Sequence, residues 1–155
     1  MHVVYAHECP PESAKGERGI FLAGPSPRSA EDINWRPGAV DTLKEIGFTG
    51  IVYVPLPRDG NWSPEYDAQV SWELKYLEGA TCIAFWIPRD LNYLPGFTTN
   101  VEFGLYVRSG KIILGYPVGA PKMKYLDLLA KKFKVPIKHT LRDTLIKAVQ
   151  MADRG

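Results

Sequence analysis

Five short runs in which most residues are apolar, β-branched or aromatic stand out along the chain, at residues 2–6, 19–23, 50–54, 81–87 and 111–115. Runs of this length and composition read as strands. Between and after them lie residues 37–46, 66–79, 99–109, 122–134 and 140–152, whose apolar positions recur every three or four residues, the helical period. Strand thus alternates with helix. The segment Ile83-Ala84-Phe85-Trp86-Ile87 offers no polar position to either face of a strand, which predicts a strand covered by helices on both sides. The pattern as a whole predicts an α/β fold: a doubly wound, mainly parallel five-stranded sheet flanked by helices, a Rossmann- or flavodoxin-like three-layer sandwich.

Fourteen glycines and thirteen prolines fall between these segments instead of forming a linker, and no repeat is present, so residues 1–155 read as one domain. The composition narrows the function classes. Nineteen basic against seventeen acidic side chains leave a formal charge of +2, too little to attract a nucleic-acid polymer through counterion release. Two cysteines, Cys9 and Cys82, with no close-spaced ligand pair, argue against a structural metal and against a disulfide scaffold. No apolar run approaches the ~20 residues that span a bilayer. The first residues lack the basic and apolar regions of an export signal, and the expectation is a cytoplasmic protein with free thiols.

In a doubly wound sheet, ligands bind beyond the carboxyl ends of the strands. Three loops should meet there: residues 24–28, 55–64 and 88–100. Phosphate-loop, dinucleotide-turn, zinc-protease and nucleophile-elbow motifs are all absent, which leaves carboxylate chemistry. Glu102 opens a predicted helix directly after the third of these loops, a good place for a nucleophile. The same segment, Thr99-Asn100-Val101-Glu102, also fits a capping box, in which the glutamate serves only the helix end. In the helix at 66–79 the pattern assigns Val70, Leu74 and Leu77 to the buried stripe and sets Tyr66, Gln69 and Glu73 along its polar margin. Gly24-Pro25 allows a close backbone approach or a plain tight turn. Trp35, Trp62, Trp72, Trp86, Tyr53, Tyr66, Tyr93 and Phe97 offer stacking faces or core, and Arg28, Arg58 and Arg89 are candidate anion donors or ordinary surface arginines.

Three segments in this order, 19–28 (GIFLAGPSPR), Trp72-Glu73-Leu74 with Leu77, and 98–104 (TTNVEFG), resemble the nucleoside 2-deoxyribosyltransferases, and most closely their nucleoside 2-deoxyribosyltransferase-like branch. The resemblance covers roughly residues 19–127. It implies transfer of a 2-deoxyribosyl group between nucleobases through a covalent intermediate on a glutamate whose position here is Glu102. A second carboxylate, usually Asp, corresponds to Glu73. Substrate contacts would fall to Gly24, Pro25, Ser26, Arg28, Asp59, Gln69 and Asn100, the ligands being 2′-deoxynucleosides and free nucleobases. No cofactor is implied, and relatives form dimers or hexamers, for which residues 122–134 offer a surface. The chain departs from the family twice. Phe21 stands where members often carry a tyrosine that orients the nucleophile, leaving Tyr5, Tyr66 or Ser26 to substitute. No acid precedes the nucleophile in Pro95-Gly96-Phe97-Thr98-Thr99, so base recognition passes to Asp59, Asp90, Asn100 or the backbone. Two further readings remain: an N-glycoside hydrolase acting on nucleosides or on 5′-monophosphates, with Ser26, Arg28 and Arg89 for the phosphate, and a nucleotide-binding module without turnover.

Overall fold

A computed structural model describes residues 1–29, 31–62 and 65–155. Ser63 and Pro64, the end of the expected loop at 55–64, lie outside the described residues. The strands are β1 (His2–Tyr5), β2 (Gly19–Ala23), β3 (Ile51–Val54), β4 (Cys82–Trp86), β5 (Ile112–Gly115) and β6 (Ile137–Lys138). The helices are α1 (Arg36–Glu45), α2 (Tyr66–Gly79), α3 (Phe97–Tyr106), α4 (Lys124–Lys132) and α5 (Leu141–Ala152). All six strands form one parallel sheet in the order β1-β3-β2-β4-β5-β6. The architecture is the expected α/β three-layer sandwich, with six strands where the pattern predicts five. The additional strand has two residues and exists through its pairing with β5, Leu114 opposite Ile137, so no periodicity announces it.

Alternate residues of each strand serve the two faces, as the pleat requires. Ile20, Leu22, Val52, Val54, Cys82, Ala84 and Trp86 pack with Ala39 and Leu43 of α1 and Leu145 and Ala148 of α5. Phe21, Ala23, Tyr53, Ile83 and Phe85 pack on the opposite side with residues of α2, α3 and α4. There the stripe on α2 differs from expectation. Leu74 is exposed and Val70 only half-buried, while Gln69, Trp72, Tyr76 and Leu77 form the buried face. The aromatic pair decides the helix's rotation: Tyr76 stacks on Tyr53 at 4.6 Å between ring centroids, and Trp72 lies 6.2 Å from Phe21. Two large rings bury more apolar area than one leucine. Rotated in this way, α2 carries Glu73 at the edge of its buried face.

The strand order reverses between β2 and β4. From β2 the chain leaves toward α1 on one face, and from β4 toward α3 on the other, which opens a crevice at the carboxyl edge between them.

Candidate active site

Gly24 directly follows β2 at φ 151°, and a Cβ there would lie 2.1 Å from the Trp86 carbonyl oxygen and 2.8 Å from the Trp35 ring. Only glycine lets the ends of β2 and β4 approach so closely. The following turn is tied to the start of α1, where the Trp35 indole N–H donates to the Pro25 carbonyl at 3.1 Å. Next to it Arg36, only 1% exposed, donates from Nε to the Leu22 carbonyl (3.1 Å), from Nη1 to the Pro25 carbonyl (3.3 Å) and Ser26 Oγ (3.2 Å), and from Nη2 to the Gly24 carbonyl (2.7 Å). Its guanidinium also lies over the Trp35 ring, 4.7 Å from the centroid.

The α3 helix begins two residues earlier than its sequence suggests. Gly96, in the left-handed region at φ 67°, reverses the chain and precedes Phe97 as the first helical residue. Glu102 is therefore the sixth residue of α3, in its second turn, and the capping box does not form. Glu102 instead lines a cavity of about 260 Å3 together with Glu73, Gln69, Gly24, Ser26 and Arg36. Exposed Trp62, Tyr66 and Phe97 stand at its rim.

The charges that line this cavity act on one another. Burial, reinforced by the charge of Glu73 and opposed by that of Arg36, pushes the Glu102 carboxyl up to about 8. Burial also raises Glu73, against a 2.7 Å hydrogen bond donated by Gln69 Nε2 to Glu73 Oε1 and the positive charges of Arg36 and His7. Burial lowers Arg36 to about 10, the two carboxylates opposing the shift, so it stays protonated at neutral pH. Gln69 is buried, and its Oε1 has no hydrogen-bond partner among the described residues, leaving one acceptor available inside the cavity.

The structure brings together Glu73, Glu102, Gly24, Pro25, Ser26, Arg28 and Gln69 of the residues singled out from the sequence. Asp59 and Asn100 are not among the lining residues. Asp59 closes its own turn, accepting from the backbone and side-chain amides of Asn61, and Asn100 accepts from Arg89 Nη2. Arg89 otherwise donates to the Lys122 carbonyl, and Asp90 accepts from the amides of Asn92 and Tyr93. Arg58 is paired with Glu8 and covers Tyr5, and both line a neighbouring cavity of about 490 Å3 that shares Arg28, Arg36 and Trp62 but contains no acid. Phe21 is core, and of its three suggested substitutes Tyr66 and Ser26 reach the carboxylates' cavity while Tyr5 does not. Trp35, Trp72, Trp86 and Tyr53 are buried, and Tyr93 is exposed elsewhere on the loop after β4.

Arg36 is the residue that pattern reading passes over. Its signal was present: a cation at the first position of a helix opposes the macrodipole, and an unfavourable placement points to another use. Among the described residues no group of three or more His, Cys, Asp or Glu is arranged to hold a metal, and no helix is long and apolar enough to cross a membrane.

A parallel sheet with a crevice at its order reversal belongs to the doubly wound α/β class, in which ligands bind beyond the carboxyl ends of the strands, and here two acids lie in that crevice. Within that class the chain belongs to the nucleoside 2-deoxyribosyltransferase-like family, whose profile matches residues 17–120, a span that holds every residue lining the carboxylates' cavity. No curated protein matches it significantly.

Proposed function

We propose that this protein transfers a 2-deoxyribosyl group between nucleobases through an ester of the sugar on Glu102, without a cofactor, and acts in the cytoplasm. Its substrates are 2′-deoxynucleosides and free nucleobases. The observation that carries the reading is the pair Glu73 and Glu102 on one cavity wall, within the span matched by the family.

The proton count suits the chemistry. With its carboxyl raised to about 8, Glu102 holds a proton near neutrality, while the hydrogen bond from Gln69 favours the ionised form of Glu73. N-glycosidic cleavage passes through a cation-like sugar, which a facing carboxylate stabilises and then captures. In the first half-reaction the bond from C1′ to the base nitrogen breaks and a bond from C1′ to a Glu102 oxygen forms. The proton that Glu102 holds at neutral pH leaves it as the new bond forms and passes by way of Glu73 to the departing base. An incoming base then attacks C1′, displaces Glu102 and returns its proton to the pair, and two inversions give net retention.

A 5′-monophosphate hydrolase would draw on Ser26, Arg28 and Arg89. Of these, Ser26 and Arg28 line the carboxylates' cavity, whereas Arg89 is not among its lining residues and donates to Asn100 and the Lys122 carbonyl. Self-association belongs to the same proposal. The α4 helix leaves Tyr125 and Leu128 exposed, as α3 does Val101 and Leu105, and sedimentation showing only monomer at micromolar concentration would count against it.

The test is a deoxynucleoside incubated with and without an acceptor base. New nucleoside should form faster than free deoxyribose accumulates, and without acceptor a peptide containing Glu102 should gain the mass of one deoxyribosyl unit. Deoxyribose released at one rate regardless of acceptor favours the hydrolase. Binding without any turnover favours the nucleotide-binding module.

A further inference from the structure

Arg36 occupies a position that helix stability does not ask for. A cation at the first residue of α1 meets the positive end of the helix dipole, and its burial removes it from water as well. Neither carboxylate lies within ion-pair distance among the contacts formed by the described residues, and the hydrogen bonds of its guanidinium go to β2 and the turn that follows it. Those bonds have a direction. The carbonyls of Leu22, Gly24 and Pro25 and the hydroxyl of Ser26 converge on one guanidinium, so the rim of the cavity is fixed relative to α1 by a fork whose planar geometry is pre-organised. The same guanidinium forms part of the cavity wall that Glu73 and Glu102 share.

We propose that Arg36 is the positioning residue of this site: it clasps the β2 rim to α1 and supplies the buried positive charge that decides how many protons the two carboxylates hold. The inference rests on reading Glu73 and Glu102 as the reacting pair. Two partly buried acids that share a cavity with no cation hold their protons to higher pH, which leaves less carboxylate to meet the developing positive charge on the sugar. One cation among two acids favours the state in which a single proton remains, so the cavity is neutral in sum while one carboxylate stays ionised. The other groups that bear on the pair do not replace it. Tyr106 lies on the helix of Glu102, Tyr66 and Arg28 line the cavity with lower burial, and the charge of His7 acts on Glu73. The direction of the Glu102 shift agrees, since Arg36 is the group that holds its carboxyl down against burial and Glu73.

The experiment compares wild type, Arg36→Lys and Arg36→Gln by two measurements. One is the carbon-13 titration of the Glu102 side-chain carboxyl in ligand-free protein, and the other is the pH profile of kcat/KM for base exchange. Arg36→Gln should move the Glu102 midpoint and both limbs of the profile to higher pH by about one unit or more. Arg36→Lys should restore the midpoints while kcat stays reduced, because the charge returns without the fork. If Arg36→Gln lowers kcat and leaves the midpoints in place, Arg36 is structural and the proposal is overturned. Should Arg36→Gln alone fail to fold, Glu73→Gln with and without Arg36→Gln gives the same comparison with one buried charge fewer. An upward shift in the double variant supports the proposal, and none overturns it. Absence of exchange in wild type would defeat the proposed reaction, and the ligand-free titration would still decide whether Arg36 sets the charge of Glu102.

Discussion

Replacing Glu102 by glutamine should destroy the chemistry and stabilise the fold. Folding raises the carboxyl from its ordinary 4.5 to about 8, mainly by burial and further by the charge of Glu73. Below pH 4.5 the group is protonated in both folded and unfolded chains, and its ionisation does not affect stability. Between 4.5 and 8 the unfolded chain ionises while the folded one holds its proton, so stability falls steadily with rising pH, and above 8 the loss is complete. At pH 7 about 2.5 pH units at about 1.4 kcal/mol each amount to between about 3 and about 4 kcal/mol, and above the folded value the loss approaches about 5 kcal/mol. Glutamine keeps the shape and cannot ionise, so it removes the penalty. Urea unfolding of both proteins near pH 5, 7 and 9 should show a gain for Glu102→Gln below about 1 kcal/mol at the first and growing at each step. A loss of about 1 kcal/mol that does not vary with pH is what a missing helix cap would give, and that result would refute the argument. Exchange activity should fall by at least about a thousandfold in the same variant.

In the wild type, kcat/KM for exchange should fall as pH rises through about 8, where the last proton leaves the pair, and a profile flat well beyond that value contradicts a shared proton. Gln69→Leu removes the hydrogen bond that stabilises ionised Glu73, so the acidic limb of that profile should move to higher pH, whereas an unmoved limb would exclude Glu73 from it. Gly24→Ala should cost about 3 kcal/mol or more by urea unfolding, because its Cβ would overlap the Trp86 carbonyl at a backbone angle that L-residues avoid. Gly104→Ala, in α3 with open space around its Cβ, should gain up to about 1 kcal/mol, and equal effects at the two glycines would defeat the contact argument.

The strands that are continuous apolar runs are legible because burial on both faces leaves no other arrangement for them, and their observed limits differ from the pattern by a residue or so at either end. What escapes is set by partners far along the chain. The β6 strand is defined by β5, the rotation of α2 by Tyr53 and Phe21, and the start of α3 by a left-handed Gly96. None of these leaves a local periodicity. Glu102 shows the consequence most clearly: the same four residues fit a cap on paper, and a shift of the helix start by two residues turns the glutamate into the cavity wall. The sequence marks Glu73 and Glu102 as candidates through their places on helices. It cannot show that a buried arginine from a third element lies close enough for its charge to act on both.

Because every pairing in the sheet is parallel, no two neighbouring strands are joined by a hairpin, and each contact waits for a crossover to close. The central pairing is distant in sequence: the Gly19 amide donates to Thr81 Oγ1 across 62 residues. Such closures take their entropy before they return any contact energy, and they fold slowly compared with helices, which form from near neighbours. The acids come from α2 and α3, the cation from α1 and the rim from β2, so no single crossover contains a working fragment of the cavity. A partly folded chain with its helices formed therefore holds every one of these side chains and none of their mutual geometry. The site comes into being with the closing of β2 on β4, as a property of the finished topology.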